Sequence, residues 1–399
     1  MALRNTLVLS FFGLSLFAGT VSAQITNPNA LGGGDPVNTI FTAVPFLRIG
    51  PDARSGAMGD LGIGLSPDAN AVYWNTAKLA FAENELGVGV TYTPWLRELV
   101  NDIFLSDLSA YYKLDEQQAI TGSLRYFSLG KIQFTDYQGQ NIGEGNPHEY
   151  AVNVGYARRL SDNFSMGLNL SYIYSNLASG QIAPGSGVVI KPGNAASGDI
   201  SFFYTKEMRN RGGNRDILNA GLTVSNIGSK ITYTQSAENK DFIPTNLGIG
   251  VGYTKVFDEF NRITLAGEVN KLLVPTPDSL GTFRTKSVPE GIFGSFSDAP
   301  DGMGEEFREL MYSVGAEYWY KNLFAIRSGY FNEHSTKGNR KYLTAGLGIK
   351  YNVFGLNFSY LIPTSNQKNP LDNTLRFSLM FDFAEVGKGS KPATTPNQQ

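Results

Sequence analysis

The 399-residue chain has no cysteine, only two histidines and little charge, 17 % of its residues. Without cysteine there are no disulfides, thiolate metal sites, Cys nucleophiles or lipoprotein anchor. Two histidines argue against a multi-His metal centre. With 33 Lys+Arg against 35 Asp+Glu, the net charge is -2 and no basic block exists, which argues against nucleic-acid binding. After residue 23 no apolar run approaches the roughly 18–20 residues a membrane-spanning helix needs. Glycine is plentiful (45), and the high apolar (42 %) and aromatic (26 Phe, 20 Tyr, 3 Trp) content argues against disorder.

Residues 1–23 read as a signal peptide. Arg4 is the positive n-region, Leu7 to Ala18 the apolar core, and Val21-Ser22-Ala23 the cleavage site, so the mature chain is expected to begin at Gln24. Export without a spanning helix leaves a secreted protein or an outer-membrane β-barrel. In lipid, only helices and closed barrels satisfy every backbone polar group.

The period-2 pattern favours the barrel. Met166, Leu168, Leu170, Tyr172 and Tyr174 alternate with Ser165, Gly167, Asn169 and Ser171; Leu343, Ala345, Leu347, Ile349 and Tyr351 alternate with Thr344, Gly346, Gly348 and Lys350. A soluble sandwich also alternates, but strands of about 11–13 residues, tilted ~40°, cover the roughly 30 Å of a bilayer. Fourteen antiparallel strands are expected: 85–93, 102–114, 118–129, 149–160, 163–176, 197–209, 215–227, 245–257, 260–272, 309–320, 323–331, 341–352, 355–362 and 371–383. Short connections follow every second strand and the others are mostly long, the largest at 177–196, 228–244 and 273–308. Short periplasmic turns opposite long extracellular loops would put both termini in the periplasm. Tyr92, Trp95, Tyr111, Tyr112 and Tyr318-Trp319-Tyr320 near strand ends suit interfacial girdles.

The domain plan is therefore a signal peptide (1–23), an N-terminal periplasmic segment and lumenal plug (24–84), the barrel (85–383) and a disordered periplasmic tail (384–399). Within the plug, Asp52 can cap a short helix at 53–58, Ser66-Pro67 make an N-cap and N1 pair, and Asn75 can cap a turn through Phe81. A polar lumen accepts the backbone ends of such helices and lipid does not.

The block Pro51-Asp52-Ala53-Arg54-Ser55-Gly56-Ala57-Met58-Gly59-Asp60, with Ser66-Pro67-Asp68-Ala69-Asn70-Ala71-Val72-Tyr73-Trp74-Asn75, resembles the N-terminal hatch of FadL-type outer-membrane barrels, also fourteen-stranded. With the approach Asn38–Leu47 it is similar, more specifically, to the PorV family of the type IX secretion system. The related PorQ barrels share the Pro-Asp-Ala-Arg and Trp-Asn style. One departure is Trp74-Asn75-Thr76-Ala77, where the family usually has Trp-Asn-Pro-Ala. The resemblance implies an all-β barrel of FadL type with a short helical plug, carrying Asp52, Arg54, Asp68, Trp74 and Asn75. It also implies an outer-membrane shuttle. Its partners would be secreted cargo, held by C-terminal signal domains, the translocon barrel, the surface sortase, and membrane lipid and lipopolysaccharide. No cofactor is implied.

Motif searches give no Gly-x-Ser-x-Gly elbow, phosphate loop or His-Glu-x-x-His, and His148 and His334 fall in expected loops; the chain reads as no enzyme. Gly248, Gly250, Gly252, Gly346 and Gly348 are expected to leave room for the plug. Arg159, Glu268, Glu317, Lys350, Arg376 and Asp382 are expected to face the lumen and to pair with one another or with the plug. Leu273, Val274, Ile292, Phe293 and Phe296 in the longest loop, and Ile182 and Val189 in 181–194, are the candidate partner-binding residues, unless these loops fold back as a lid. Two other functions fit an exported barrel: a channel for hydrophobic small molecules and a lipopolysaccharide-modifying enzyme.

Overall fold

The computed structural model describes residues 37–95, 102–135, 138–182, 188–209, 212–234, 240–277, 282–364 and 373–384. The expected signal peptide, the segment from Gln24 to Pro36 and the tail after 384 lie outside the described residues.

The strands are β1 (Leu86–Pro94), β2 (Ile103–Lys113), β3 (Gln118–Leu129), β4 (Ile132–Thr135), β5 (Asn141–Gly145), β6 (His148–Arg159), β7 (Phe164–Asn176), β8 (Gly193–Arg209), β9 (Arg215–Gly228), β10 (Asn246–Val256), β11 (Asn261–Leu272), β12 (Met311–Tyr320), β13 (Phe324–Asn332), β14 (Lys341–Tyr351), β15 (Phe354–Pro363) and β16 (Leu375–Phe383). All but β4 and β5 form one closed antiparallel barrel of fourteen strands. β1 closes on β16 from Leu86↔Phe383 to Tyr92↔Phe377. Closure leaves no row of unpaired N–H and C=O groups facing lipid. β4 and β5 pair only with each other, inside the connection between β3 and β6. The sequence reading missed this hairpin because it is too short to show a sustained alternation.

Side-chain parity sorts the wall into two surfaces. On β7, Leu168, Leu170 (72 % exposed) and Tyr172 point outward, while Ser165, Asn169 and Ser171 are buried against the interior. The same sorting exposes Val152 and Val154 on β6, Leu347 and Ile349 on β14, and Phe377 and Leu379 on β16. Each such side chain gains roughly 1.5–3 kcal/mol on leaving water, so a continuous band of them is stable only against lipid. Parity also corrects the girdle expectation. Tyr92, Tyr112 and Tyr320 point outward, but Trp95 and Tyr111 are buried and Trp319 lies against the Arg327 guanidinium on the lumen side.

Short turns close one end. Lys321 and Asn322 join β12 to β13 with φ of 53° and 54°, the left-handed pair of a type I′ turn. At the opposite end lie the long connections. There the described chain begins: Asn38 N–H donates to Thr336 O (3.0 Å) and Ala43 N–H to Phe242 O (2.9 Å). The chain then runs the length of the lumen, and near the short turns Lys113 Nζ donates to Ala82 O (2.9 Å). Residues 37–44 therefore lie at the long-loop end. Val44, Phe46 and Leu47 require apolar partners, and these (Trp95, Leu105, Phe127, Phe331) line the lumen near the long loops.

Candidate functional site

The plug is built from short elements that could not stand alone. Helix α1 (Ala53–Gly56) is capped by Asp52, whose Oδ2 accepts from Ser55 N–H at 2.7 Å. Its other oxygen accepts from Trp74 Nε1 at 2.7 Å, tying α1 to α2 (Ala71–Trp74). Asn75 Oδ1 accepts from Ala77 N–H (3.1 Å) and caps the 3-10 turn Thr76–Phe81. No helix begins at Ser66-Pro67. Ser66 Oγ instead accepts from Arg54 Nη2 (2.8 Å), a use that sequence-local capping rules do not foresee.

Ionic and backbone contacts fasten the plug to the wall. Arg54 places Nε and Nη2 on the two oxygens of Glu317 (3.0 and 2.9 Å) and Nη1 on Asp68 (3.0 Å). Glu317 also accepts from Arg327 Nε at 2.6 Å. Burial works against the Arg54 charge, but Glu317 and Asp68 hold its pKa above the ordinary guanidinium value. Arg376 pairs with Asp60, which also accepts from Tyr342 Oη (2.6 Å). Glu268 Oε2 accepts from Gly62 and Ile63 N–H at 2.8 and 2.9 Å, and Lys78 Nζ donates to Gly62 O (2.8 Å). Of the lumenal charges read from sequence, Glu268, Glu317 and Arg376 bind the plug side, Arg159 donates to Ala80 O, and Lys350 pairs with Asp382. Arg327, Asp60 and Lys78 were not foreseen, although Arg327 shows the same parity as Glu317 across from it.

Backbone-to-backbone contact needs glycine on the wall. A Cβ at Gly329 would lie 2.1 Å from the Met58 carbonyl carbon, and one at Gly252 would lie 2.5 Å from Gly64 O.

At the long-loop end, the connection between β11 and β12 is a folded lid rather than a loop. It contains α3 (Val288–Gly294), with a Ser287/Glu290 capping box, and α4 (Met303–Arg308). Lys271 Nζ reaches Glu306 (2.9 Å) and Glu309 (2.5 Å), and Lys337 pairs with Glu305 and Glu309 (3.0 Å). Thr276 Oγ1 donates to Glu309 (2.8 Å), and Asn38 Nδ2 donates to Glu305 (3.1 Å). All five charged groups are buried.

This lid divides the candidate partner residues. Leu273 (3 % exposed) and Val274 are buried at its root, so the expectation that they form an outer surface is corrected: they fill the space beneath the folded-back loop. Ile292 is half-buried. Phe293 (78 % exposed) and Phe296 do point out, joined by Met303 and Phe307, which the sequence reading missed. Ile182 and Val189 are exposed and face each other across an antiparallel bridge. Among the described residues no group of three His, Cys, Asp or Glu could hold a metal.

A family model described as type IX secretion system protein PorV matches residues 34–279, covering the plug, the first eleven strands and the root of the lid. The chain belongs to the PorV family. As a PorV-family barrel it is an outer-membrane component of type IX secretion. No curated protein matches it. Among solved structures it is similar to the toluene transporter TodX of P. putida, at 11 % identity and TM-score 0.47, over 84 % of this chain and 99 % of that one. It is also similar to the toluene transporter TbuX of Ralstonia pickettii (12 %, 0.47, 84 % and 98 %) and to a Pseudomonas aeruginosa FadL homologue (10 %, 0.42, 87 % and 99 %).

Proposed function

We propose that this PorV-family barrel is a membrane-anchored docking station. It receives secreted proteins by their C-terminal signal domains from the translocon barrel and delivers them to the surface sortase. In this reading the long-loop end faces the cell exterior and both the cargo and its handlers meet the lid. The observation that carries it is the outward apolar face of the lid. Phe293 on α3, Phe296 just after it, and Met303 and Phe307 on α4 are exposed, and the other side of α4 is fixed by buried ion pairs. A rigid helical platform showing large apolar side chains beyond the bilayer suits a protein partner. The ion-paired plug supports anchoring over conduction, because an open hydrocarbon path would require Arg54, Asp60 and Glu268 to release their partners.

The test is the double substitution Phe293→Asp with Phe307→Asp in the native host. The barrel should still reach the outer membrane and migrate in heat-modifiable form, while surface attachment of cargo falls at least about tenfold, the effect of losing hot-spot contacts near 1.4 kcal/mol. Normal attachment would remove the lid from the docking role.

A further inference from the structure

Between the plug and the wall, the lumen holds a cavity of about 310 Å³ lined by four arginines and four carboxylates. Most of these charges are already matched. Arg125 Nε donates to Asp107 (3.2 Å), Arg376 pairs with Asp60, and Arg340 places Nε and Nη2 on the two oxygens of Glu333 (2.7 and 2.9 Å). Glu268 accepts from Gly62 and Ile63 N–H, and Lys78, bonded to the Gly62 carbonyl, is the cation beside it. Two charges remain. Arg48 Nη2 donates to a thioether, Met311 Sδ (3.3 Å), and among the described residues no carboxylate pairs with Arg48. Asp199 accepts from Asn169 Nδ2 (2.9 Å) and Asn226 N–H (2.7 Å), and among the described residues no Lys, Arg or His pairs with it. Both residues are half-buried, and both line the cavity. They do not meet: Arg48 sits by Met311 at the start of β12, and Asp199 is on β8, four strands round the barrel. The rings of Trp95 and Phe127, 5.4 Å apart, form an apolar part of the same lining.

A guanidinium stays charged at neutral pH, and a charge shut away from bulk water calls for an opposite one. A hydrocarbon supplies neither sign. A carboxylate ligand would match Arg48 and be repelled by Asp199, and an amine would do the reverse. A molecule with an ammonium at one end and a carboxylate at the other matches both. A free α-amino acid carries the two groups on one carbon, too close for side chains that stand apart. Each further residue of a peptide separates them by roughly 3.3–3.6 Å. A zwitterionic lipid would have to lay its acyl chains along a polar lumen. We propose that this cavity is a binding site for a short peptide of two or three residues with both ends free. Its carboxylate lies on Arg48, its ammonium on Asp199, and an apolar side chain on the aromatic part of the lining. The site is separate from the lid surface and does not depend on the docking role.

The test uses the full barrel purified in an uncharged polyoxyethylene detergent. Saturation-transfer NMR is run with glycylphenylalanine and glycylglycylphenylalanine. The comparison ligands are N-acetyl-glycylphenylalanine, which lacks the ammonium, glycylphenylalanine amide, which lacks the carboxylate, free phenylalanine, and toluene. At least one of the two peptides should bind with a dissociation constant of about 1 mM or tighter, and blocking either end should weaken it about tenfold or more. Arg48→Met should remove the preference for a free carboxylate, and Asp199→Asn the preference for a free ammonium. Heat-modifiable migration confirms that each variant is folded, and the blocked-end comparison on the native barrel needs no variant. The site is refuted if neither peptide binds at about 50 mM, an affinity too weak for a built site. It is refuted equally if the blocked peptides or toluene bind as tightly as the free peptides, or if both variants keep the native end-group preference. Tighter binding of free phenylalanine than of either peptide would overturn the assigned size.

Discussion

Replacing Glu317 by Gln tests how the plug is held. Glu317 is the anion between Arg54 of the plug and Arg327 of the wall, accepting at 3.0 and 2.9 Å from one and 2.6 Å from the other. The amide keeps the shape but leaves two buried guanidiniums facing each other with Asp68 as the remaining anion. Breaking a buried pair from one side costs roughly 3–5 kcal/mol, because a charge stays unpaired. Asp68 retains one contact to Arg54, so the lower figure is the one to expect, and 3 kcal/mol is more than a hundredfold in the undocked population. The assay exploits the absence of native cysteine. Ser55→Cys puts one thiol on the residue after Arg54, where the native side chain is buried. Maleimide labelling, under conditions where docking is faster than reaction, reads the undocked fraction. Glu317→Gln should raise the rate about a hundredfold while strand amides keep their hydrogen-exchange protection. An unchanged rate would refute the ion-pair account and leave the plug held by its glycine-lined backbone contacts alone.

Those glycine contacts make their own prediction. Gly329→Val cannot be absorbed by side-chain motion, since the new Cβ meets Met58 backbone at 2.1 Å. The barrel should assemble with the plug displaced, seen as fast labelling of the same Ser55→Cys thiol, whereas slow labelling would show that the wall yields instead. The lid should loosen in acid. Burial raises the pKa of Glu305, but Lys337 and the Asp301 N–H outweigh it and hold the carboxyl below its ordinary value. Its contribution is therefore complete above the unfolded carboxylate value of about 4 and is lost as pH falls through the lower folded value. Acid-stable protease cleavage within α4 should rise below about pH 4 in the native chain. In Lys337→Met that pH dependence should be weaker; an identical profile in both would exclude the ion pair as the latch.

The sequence carried more of the wall than of its contents. Strand alternation is a local property, and lipid is a uniform solvent for the outward face, so a residue such as Leu170 or Leu347 declares its side without knowing its neighbours. All fourteen barrel strands were legible for that reason, within a few residues at their ends. Asp52 and Asn75 were legible as caps because a cap acts on the next two or three residues. Ser66 was misread because its partner, Arg54, lies 12 residues earlier, on α1, beyond the reach of a local cap. Trp95 and Tyr111 were misread because an aromatic near a strand end can serve either face, and only its parity in the closed barrel decides.

The lid shows the limit most clearly. Its composition marked it as unusual, but nothing local says that Glu305, Glu306 and Glu309 gather two lysines from 28 to 38 residues away. That contact buries Leu273 and Val274 and turns Phe293 and Phe307 outward. The closed sheet, its lipid-facing band and the capped plug were thus fixed by the order of residues alone, since each depends on periodicity or on neighbours a turn away. Which charges meet across the lumen, where the strap Val37–Val44 ends, and which apolar side chains remain uncovered were decided only by closure of the ring. Closure brings residues some three hundred positions apart, such as Asp60 and Arg376, into contact, and no local pattern encodes that distance.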